Sequence, residues 1–139
     1  MDLKGMKILI MGLGVTGESA ARTLKGKTAG LFVFEDKPRE AINKDLSDKD
    51  LKFLEIRNGK PGEILEQIDL IIKSPGINPH HELLVEANKK GIPVYSDIEL
   101  ASRIYPGRPI MAVTGTNGKT TTTMLAREVF SNAGFPTNV

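Results

Sequence analysis

Two glycine-rich loops hold the residues of this chain most able to do chemistry. The first is Gly12-Leu13-Gly14-Val15-Thr16-Gly17, and the second is Thr114-Gly115-Thr116-Asn117-Gly118-Lys119-Thr120-Thr121. Each follows an apolar run and precedes a helical pattern, the setting in which a loop cradles phosphate. In the first loop, Gly12 permits a tight turn and Gly14 removes the Cβ that would block a pyrophosphate. Gly17 lets helix and strand approach closely. Asp36 stands at the end of the next apolar run, where a ribose or base contact is expected. Alone, this loop fits NAD(P), another nucleotide or a purely structural turn. A strict Walker A loop would place glycine where this chain has Val113. The local chemistry of the second loop survives that departure. Gly115, Asn117 and Gly118 bend the backbone so that its N–H groups face a triphosphate. Lys119 then reaches the β- and γ-phosphates, and the Thr120 hydroxyl ligates Mg²⁺. A dehydrogenase needs only the first loop, whereas a chain carrying both should hold two phosphorylated ligands.

The elements that must carry these loops are legible as short apolar runs alternating with helical patterns. Strands are expected at 7–11, 31–34, 53–56 (weaker), 70–72 and 92–95. Helices are expected at 18–24, at 61–67 with Pro61 in the first turn, and at 82–90 with Gly91 as its stop. Ala20, Ala21 and Leu24 share one helical face, as do Leu83, Leu84 and Ala87. Such alternation implies α/β architecture: a Rossmann-like parallel five-stranded sheet with helices on both faces. Ser96-Asp97-Ile98-Glu99 reads as a capping box that starts a helix ending near Tyr105. Pro106-Gly107-Arg108-Pro109 reads as a linker. A strand at 110–113, the second loop and a helix over about 119–132 follow, stopped by Gly134 and Pro136. The boundary falls between about residues 93 and 109. It separates a first domain, 1–93, from 94–139, a linker helix with the start of a second α/β domain.

Bulk properties remove several function classes. The 139 residues carry a net charge of +2, too small an excess to argue for nucleic acid. Only 5% are aromatic, so RNA-type stacking lacks its platforms. With no cysteine there is no disulfide, thiolate metal site or cysteine nucleophile. No run approaches a membrane span or a secretory signal, so a cytoplasmic protein is expected. Adjacent His80 and His81 point to different faces and read as a solvated helix start. Asp45, Asp48 and Asp50 lack the glycine and distal glutamate of a calcium loop and read as a surface loop. Met6, Met11, Met111 and Met124 read as core filler.

The second loop resembles that of the Mur ligases and the related folylpolyglutamate synthetases, which are ATP-dependent amide-bond ligases. Within the Mur group three segments resemble the branch that joins D-glutamate to UDP-N-acetylmuramoyl-L-alanine. They are Gly12 to Ala20, Ser74-Pro75-Gly76-Ile77 and Ser96-Asp97-Ile98-Glu99-Leu100. The resemblance implies a UDP-binding domain, a central ATPase domain and a C-terminal domain, of which this chain holds the first and the opening of the second. It implies that the ATP γ-phosphate passes to the substrate carboxylate and that the amino acid amine attacks the acyl phosphate. It places Gly14, Val15, Thr16, Gly17, Asp36, Lys37, Ser74, Pro75 and Gly76 on the UDP-sugar. Gly115, Thr116, Asn117, Gly118, Lys119, Thr120 and Thr121 fall on ATP, with Lys119 catalytic and Thr120 on Mg²⁺. Family members often carry an arginine two residues after the aspartate; here Pro38 stands there and Arg39 follows. The family's Gly-Gly-Asn turn, central histidine, magnesium-binding glutamate and modified lysine are not in this chain, and Asn138 comes too early for that turn. The expectation is that this polypeptide alone is inactive. Its second domain, with a strand lacking neighbours, is expected to self-associate, swap between copies or stay disordered.

Overall fold

The structure, a computed structural model, describes residues 2–107 and 109–137. It divides into two compact units, Met1–Pro106 and Gly107–Val139. Arg108 of the expected linker, and Asn138, lie outside the described residues.

The first unit is built on β1 (Lys7–Met11), β2 (Gly30–Phe34), β3 (Glu55–Ile56), β4 (Leu70–Lys73) and β5 (Val94–Tyr95). They form one sheet in the order β3-β2-β1-β4-β5, and each pairing is parallel. Leu9 lies in register with Phe32 on one side and Ile71 on the other. Side chains alternate across a strand, so consecutive residues of β1 enter different cores. Ile8 and Ile10 join Leu31, Val33, Leu70 and Ile72 beneath α1 (Val15–Leu24), α2 (Arg39–Asp48) and α5 (Asp97–Ile104). Leu9 and Met11 join Phe32 and Ile71 beneath α3 (Pro61–Ile64) and α4 (Glu82–Lys89). Burial on both faces explains why the inner strands read as unbroken apolar runs.

The edge strands are shorter than expected, two residues each. Pro93 has no N–H to give a ladder, although its carbonyl still accepts from Ile71 N at 2.9 Å. The reading of Asp45, Asp48 and Asp50 as a loop is corrected. Asp45 and Asp48 lie on α2, and Asp50 takes a positive φ of 52° in the turn after it. Ile42 and Leu46, one helical turn apart, are the only buried residues of α2 and suffice to seat it. At the start of α5, Ser96 Oγ accepts from Glu99 N at 3.2 Å, but the Glu99 carboxylate turns to Arg103 at 2.9 Å. Leu100 is buried in the core under α1, so the first compact unit extends past residue 93 to include α5.

In the second unit, α6 (Lys119–Asn132) forms as expected. Its end is a Schellman motif. Gly134 has a φ of 84°, Gly134 N donates to Ser131 O, Phe135 N donates to Phe130 O, and the two phenylalanine rings meet edge to face. The strand expected at 110–113 is absent, because no other segment described in this unit offers a ladder to it. Met111 and Met124, expected as core, are 56% and 44% exposed. No residue of α6 is buried.

Candidate functional site

Strand β1 sits where the chain's path over the sheet reverses. β2 and β3 run outward on one side of it, β4 and β5 on the other. In open parallel sheets such a switch point leaves a crevice beyond the carboxyl ends of the strands. The first glycine loop, the segment after β2 and the turn after β4 all begin there.

Gly12 has a φ of 91°, which disfavours any side chain, and a Cβ on it would meet Ser74 at 3.1 Å. A Cβ on Gly17 would stand 1.8 Å from the Gly12 carbonyl oxygen, so helix and loop touch without room for one carbon. Gly14 differs. Its φ is −68°, and a Cβ there would meet nothing within 4 Å. Neither backbone nor packing within this chain calls for glycine at that position. The loop is held from both sides at Leu13, whose N–H donates to the Glu35 carboxylate and whose carbonyl accepts from Lys49 Nζ at 2.6 Å. Helix α1 opens at Gly14 without a side-chain cap, so its first-turn amides remain for an outside acceptor. Val15 on that turn is 89% exposed, and Thr16 faces a small cleft shared with Asp97, Leu100 and Tyr105.

The turn after β4 is bound to this loop. Ser74 N donates to Met11 O and Ser74 Oγ donates to Gly12 O, each at 3.1 Å. Ser74 therefore joins the two strand ends, while Pro75 and Gly76 project into solvent. Ile77 N closes the turn on Ser74 O at 3.1 Å. Lys73 lays its ammonium over the turn, 3.3 Å from the carbonyls of Ser74 and Ile77.

After β2, Asp36 stands 68% exposed at the rim. His81, the N-cap of α4, reaches it: Nε2 lies 3.1 Å from Asp36 Oδ2, and the ring packs edge-on against Phe34. Lys37 turns away from Asp36 and pairs with Asp45 of α2 at 2.9 Å. That hydrogen bond raises the Lys37 pKa and holds the Asp45 carboxyl below its ordinary range. Arg39 lies exposed on the first turn of α2.

The structure thus brings together Gly14, Val15, Thr16, Gly17, Asp36, Ser74, Pro75 and Gly76, and commits Lys37 to a neighbour. Lys73 was not expected at the site, although it left a signal as the charge that ends the apolar run of β4. His81 does start α4 as expected, but it is not solvated: its side chain is 16% exposed and meets Asp36, 45 residues away, a contact that local spacing does not encode.

In the second unit, Gly115 and Gly118 take φ values of 152° and 78°. Lys119 folds back over the loop, its Nζ 2.6 Å from Gly115 O and 3.2 Å from Thr116 O. Helix α6 begins at Gly118 with no side-chain cap, so the amides of Lys119, Thr120 and Thr121 open its first turn. Thr120 and Thr121 are exposed. Among the described residues no group of three or more His, Cys, Asp or Glu side chains is placed to hold a metal. No helix described is long and apolar enough to cross a membrane.

Residues 6–96 match the family described as Mur ligase MurD-like, N-terminal domain. The UDP-N-acetylmuramoylalanine–D-glutamate ligase of Caldicellulosiruptor bescii is 42% identical over 130 residues, which cover 93% of this chain and 28% of that protein. The enzymes of that name from Thermoanaerobacter pseudethanolicus and Syntrophus aciditrophicus are 37% and 40% identical; each alignment covers 96% of this chain and 30% of the relative. The chain therefore spans about 30% of the length of these relatives.

Proposed function

Because the chain belongs to the Mur ligase family with a MurD-like N-terminal domain, we propose that its first unit binds the UDP end of UDP-N-acetylmuramoyl-L-alanine. The observation that carries this reading is Gly14. Fold and packing leave its Cβ position open beside an uncapped helix start, on the loop after β1, which lies between the strands that lead to Asp36 and to the Ser74–Gly76 turn. A diphosphate would lie over the first turn of α1, with Val15 and Thr16 supplying backbone N–H and hydroxyl donors. Asp36 would accept from the base, and Pro75 and Gly76 would border the same ligand. Lys37, engaged with Asp45, would act only at the margin.

In the complete protein, the second loop would take ATP. The peptide N–H groups of Gly115 to Thr121 suit a triphosphate, and Lys119 would leave the carbonyls of Gly115 and Thr116 for its β- and γ-oxygens. Mg²⁺, when bound, would neutralise charge between the reacting anions, with the Thr120 hydroxyl as this chain's contribution to its ligands. The reaction we assign to the complete protein is transfer of the ATP γ-phosphate to the alanyl carboxylate. The D-glutamate amine then attacks the acyl phosphate and phosphate leaves. This makes it an ATP-dependent ligase of peptidoglycan synthesis, acting in the cytoplasm. Lys119 would serve by holding positive charge between two anions that otherwise repel.

On this reading the 139-residue chain alone binds without turning over. Its exposed Leu125, Val129 and Phe135 favour association between copies, which light scattering would detect as a mass above 15.1 kDa. The primary test is calorimetric titration of the chain with UDP-N-acetylmuramoyl-L-alanine, UDP and NAD⁺ in parallel. Binding of the two uridine compounds without NAD⁺ is expected. Binding of NAD⁺ alone would overturn the reading in favour of an oxidoreductase-type domain.

A further inference from the structure

His81 has both ring nitrogens engaged, and the two engagements select one tautomer of the neutral ring. Nδ1 accepts from Leu83 N at 3.1 Å. A nitrogen that accepts carries no proton, so the neutral ring bears its hydrogen on Nε2. That hydrogen points at Asp36 Oδ2, 3.1 Å away. The ring itself is held by its edge-to-face packing on Phe34 at 5.5 Å, and only 16% of the side chain is exposed. A half-buried donor, held by its ring packing and its cap, thus grips one oxygen of a carboxylate that otherwise stands at an exposed rim.

We infer that His81 is a positioning residue for Asp36, presenting the second carboxylate oxygen to the base of a bound uridine nucleotide. The inference rests on the proposed role of Asp36. Three features support it. A neutral donor leaves the negative charge of Asp36 in place, so its strength as an acceptor is kept. The adjacent cation, Lys37, is occupied by Asp45 and does not pull Asp36 aside. Fixing the carboxylate before the ligand arrives removes an ordering cost from binding. The same ring also starts α4, so the helix that closes one side of the sheet and the carboxylate at its rim are set by one side chain.

Capping and gripping separate by substitution, because an asparagine amide overlays Nδ1 and a glutamine amide overlays Nε2. His81→Asn keeps a good N-cap and loses the reach to Asp36. His81→Gln keeps the reach and weakens the cap. The test is UDP titration of the 139-residue chain, with thermal unfolding of each variant and ¹⁵N NMR of the His81 ring. Expected are an Nε2–H tautomer, shifted ring resonances in Asp36→Asn, and UDP affinity about fivefold weaker in His81→Asn, measured at a temperature where that variant is fully folded. His81→Gln should bind within about twofold of wild type but melt lower. His81→Asn should have no further effect on UDP in an Asp36→Ala background. Wild-type affinity in His81→Asn, with Asp36→Ala still weakened, would overturn the positioning role and leave the uridine site standing. An Nδ1–H tautomer would overturn it whatever the stability of the variants. An Asp36→Ala chain that binds UDP normally, or a wild-type chain that does not bind it, would remove the uridine reading and this inference with it.

Discussion

A Cβ on Gly17 would lie 1.8 Å from the carbonyl oxygen of Gly12, whereas one on Gly14 would touch nothing within 4 Å. The two glycines of one loop therefore answer to different demands, one internal and one external.

Substitution separates them. Gly17→Ala forces backbone against backbone and is expected to cost about 3 kcal/mol of stability in urea denaturation. Gly14→Ala should stay within about 0.5 kcal/mol of wild type, since a less flexible unfolded chain offsets a poorer cap. Its UDP affinity should nevertheless fall about tenfold, ~1.4 kcal/mol. Unchanged UDP binding by a folded Gly14→Ala chain would refute the placement of the diphosphate.

Lys119 is the cation of the second loop and should matter only to ATP chemistry. In the complete ligase, Lys119→Met is expected to lower turnover by about a hundredfold or more. UDP binding by the first unit should be untouched. A loss of UDP affinity in Lys119→Met would contradict the division of labour between the two loops.

The Lys37–Asp45 pair has a defined pH window. The hydrogen bond to Lys37 lowers the Asp45 pKa from 3.8, so what Asp45 adds is complete above that value and lost as pH falls through its lower folded one. The same bond raises Lys37 from 10.5, so its share is complete below that value and lost as pH climbs through the higher folded one. Both groups are well solvated, and the effect on overall stability should be small. In an NMR titration, the Asp45 midpoint should move up toward 3.8 in Lys37→Ala. An unmoved midpoint would mean that the pair does not form in solution.

The core of Leu24 is set by α1 lying on β1. Leu24 is fully buried, and Leu24→Ala should cost about 2–5 kcal/mol in the same denaturation assay. A smaller loss would show that α1 is not seated as described.

The readable parts of this chain were those where one physical demand dominated. Inner strands buried on both faces left runs such as Ile8 to Met11, and the contact of Gly17 with Gly12 left a glycine pattern. Helix α2 was not readable, because two buried residues among ten, flanked by charges, make a weak periodicity. The strand expected at 110–113 shows the opposite failure. Local pattern favours extension, but a strand exists only with a neighbour to pair with. The Asp36–His81 contact depends on how β2 and α4 meet, which local spacing does not encode.

The glycine loop, Asp36 and the Ser74–Gly76 turn hang from β1, β2 and β4, the three inner strands. The two-residue edges contribute none of them. In hydrogen exchange, the amides at both margins should open early and often, while those of Leu9 and Ile10 wait for global unfolding. The margins of the sheet can breathe while the crevice at its centre keeps its shape.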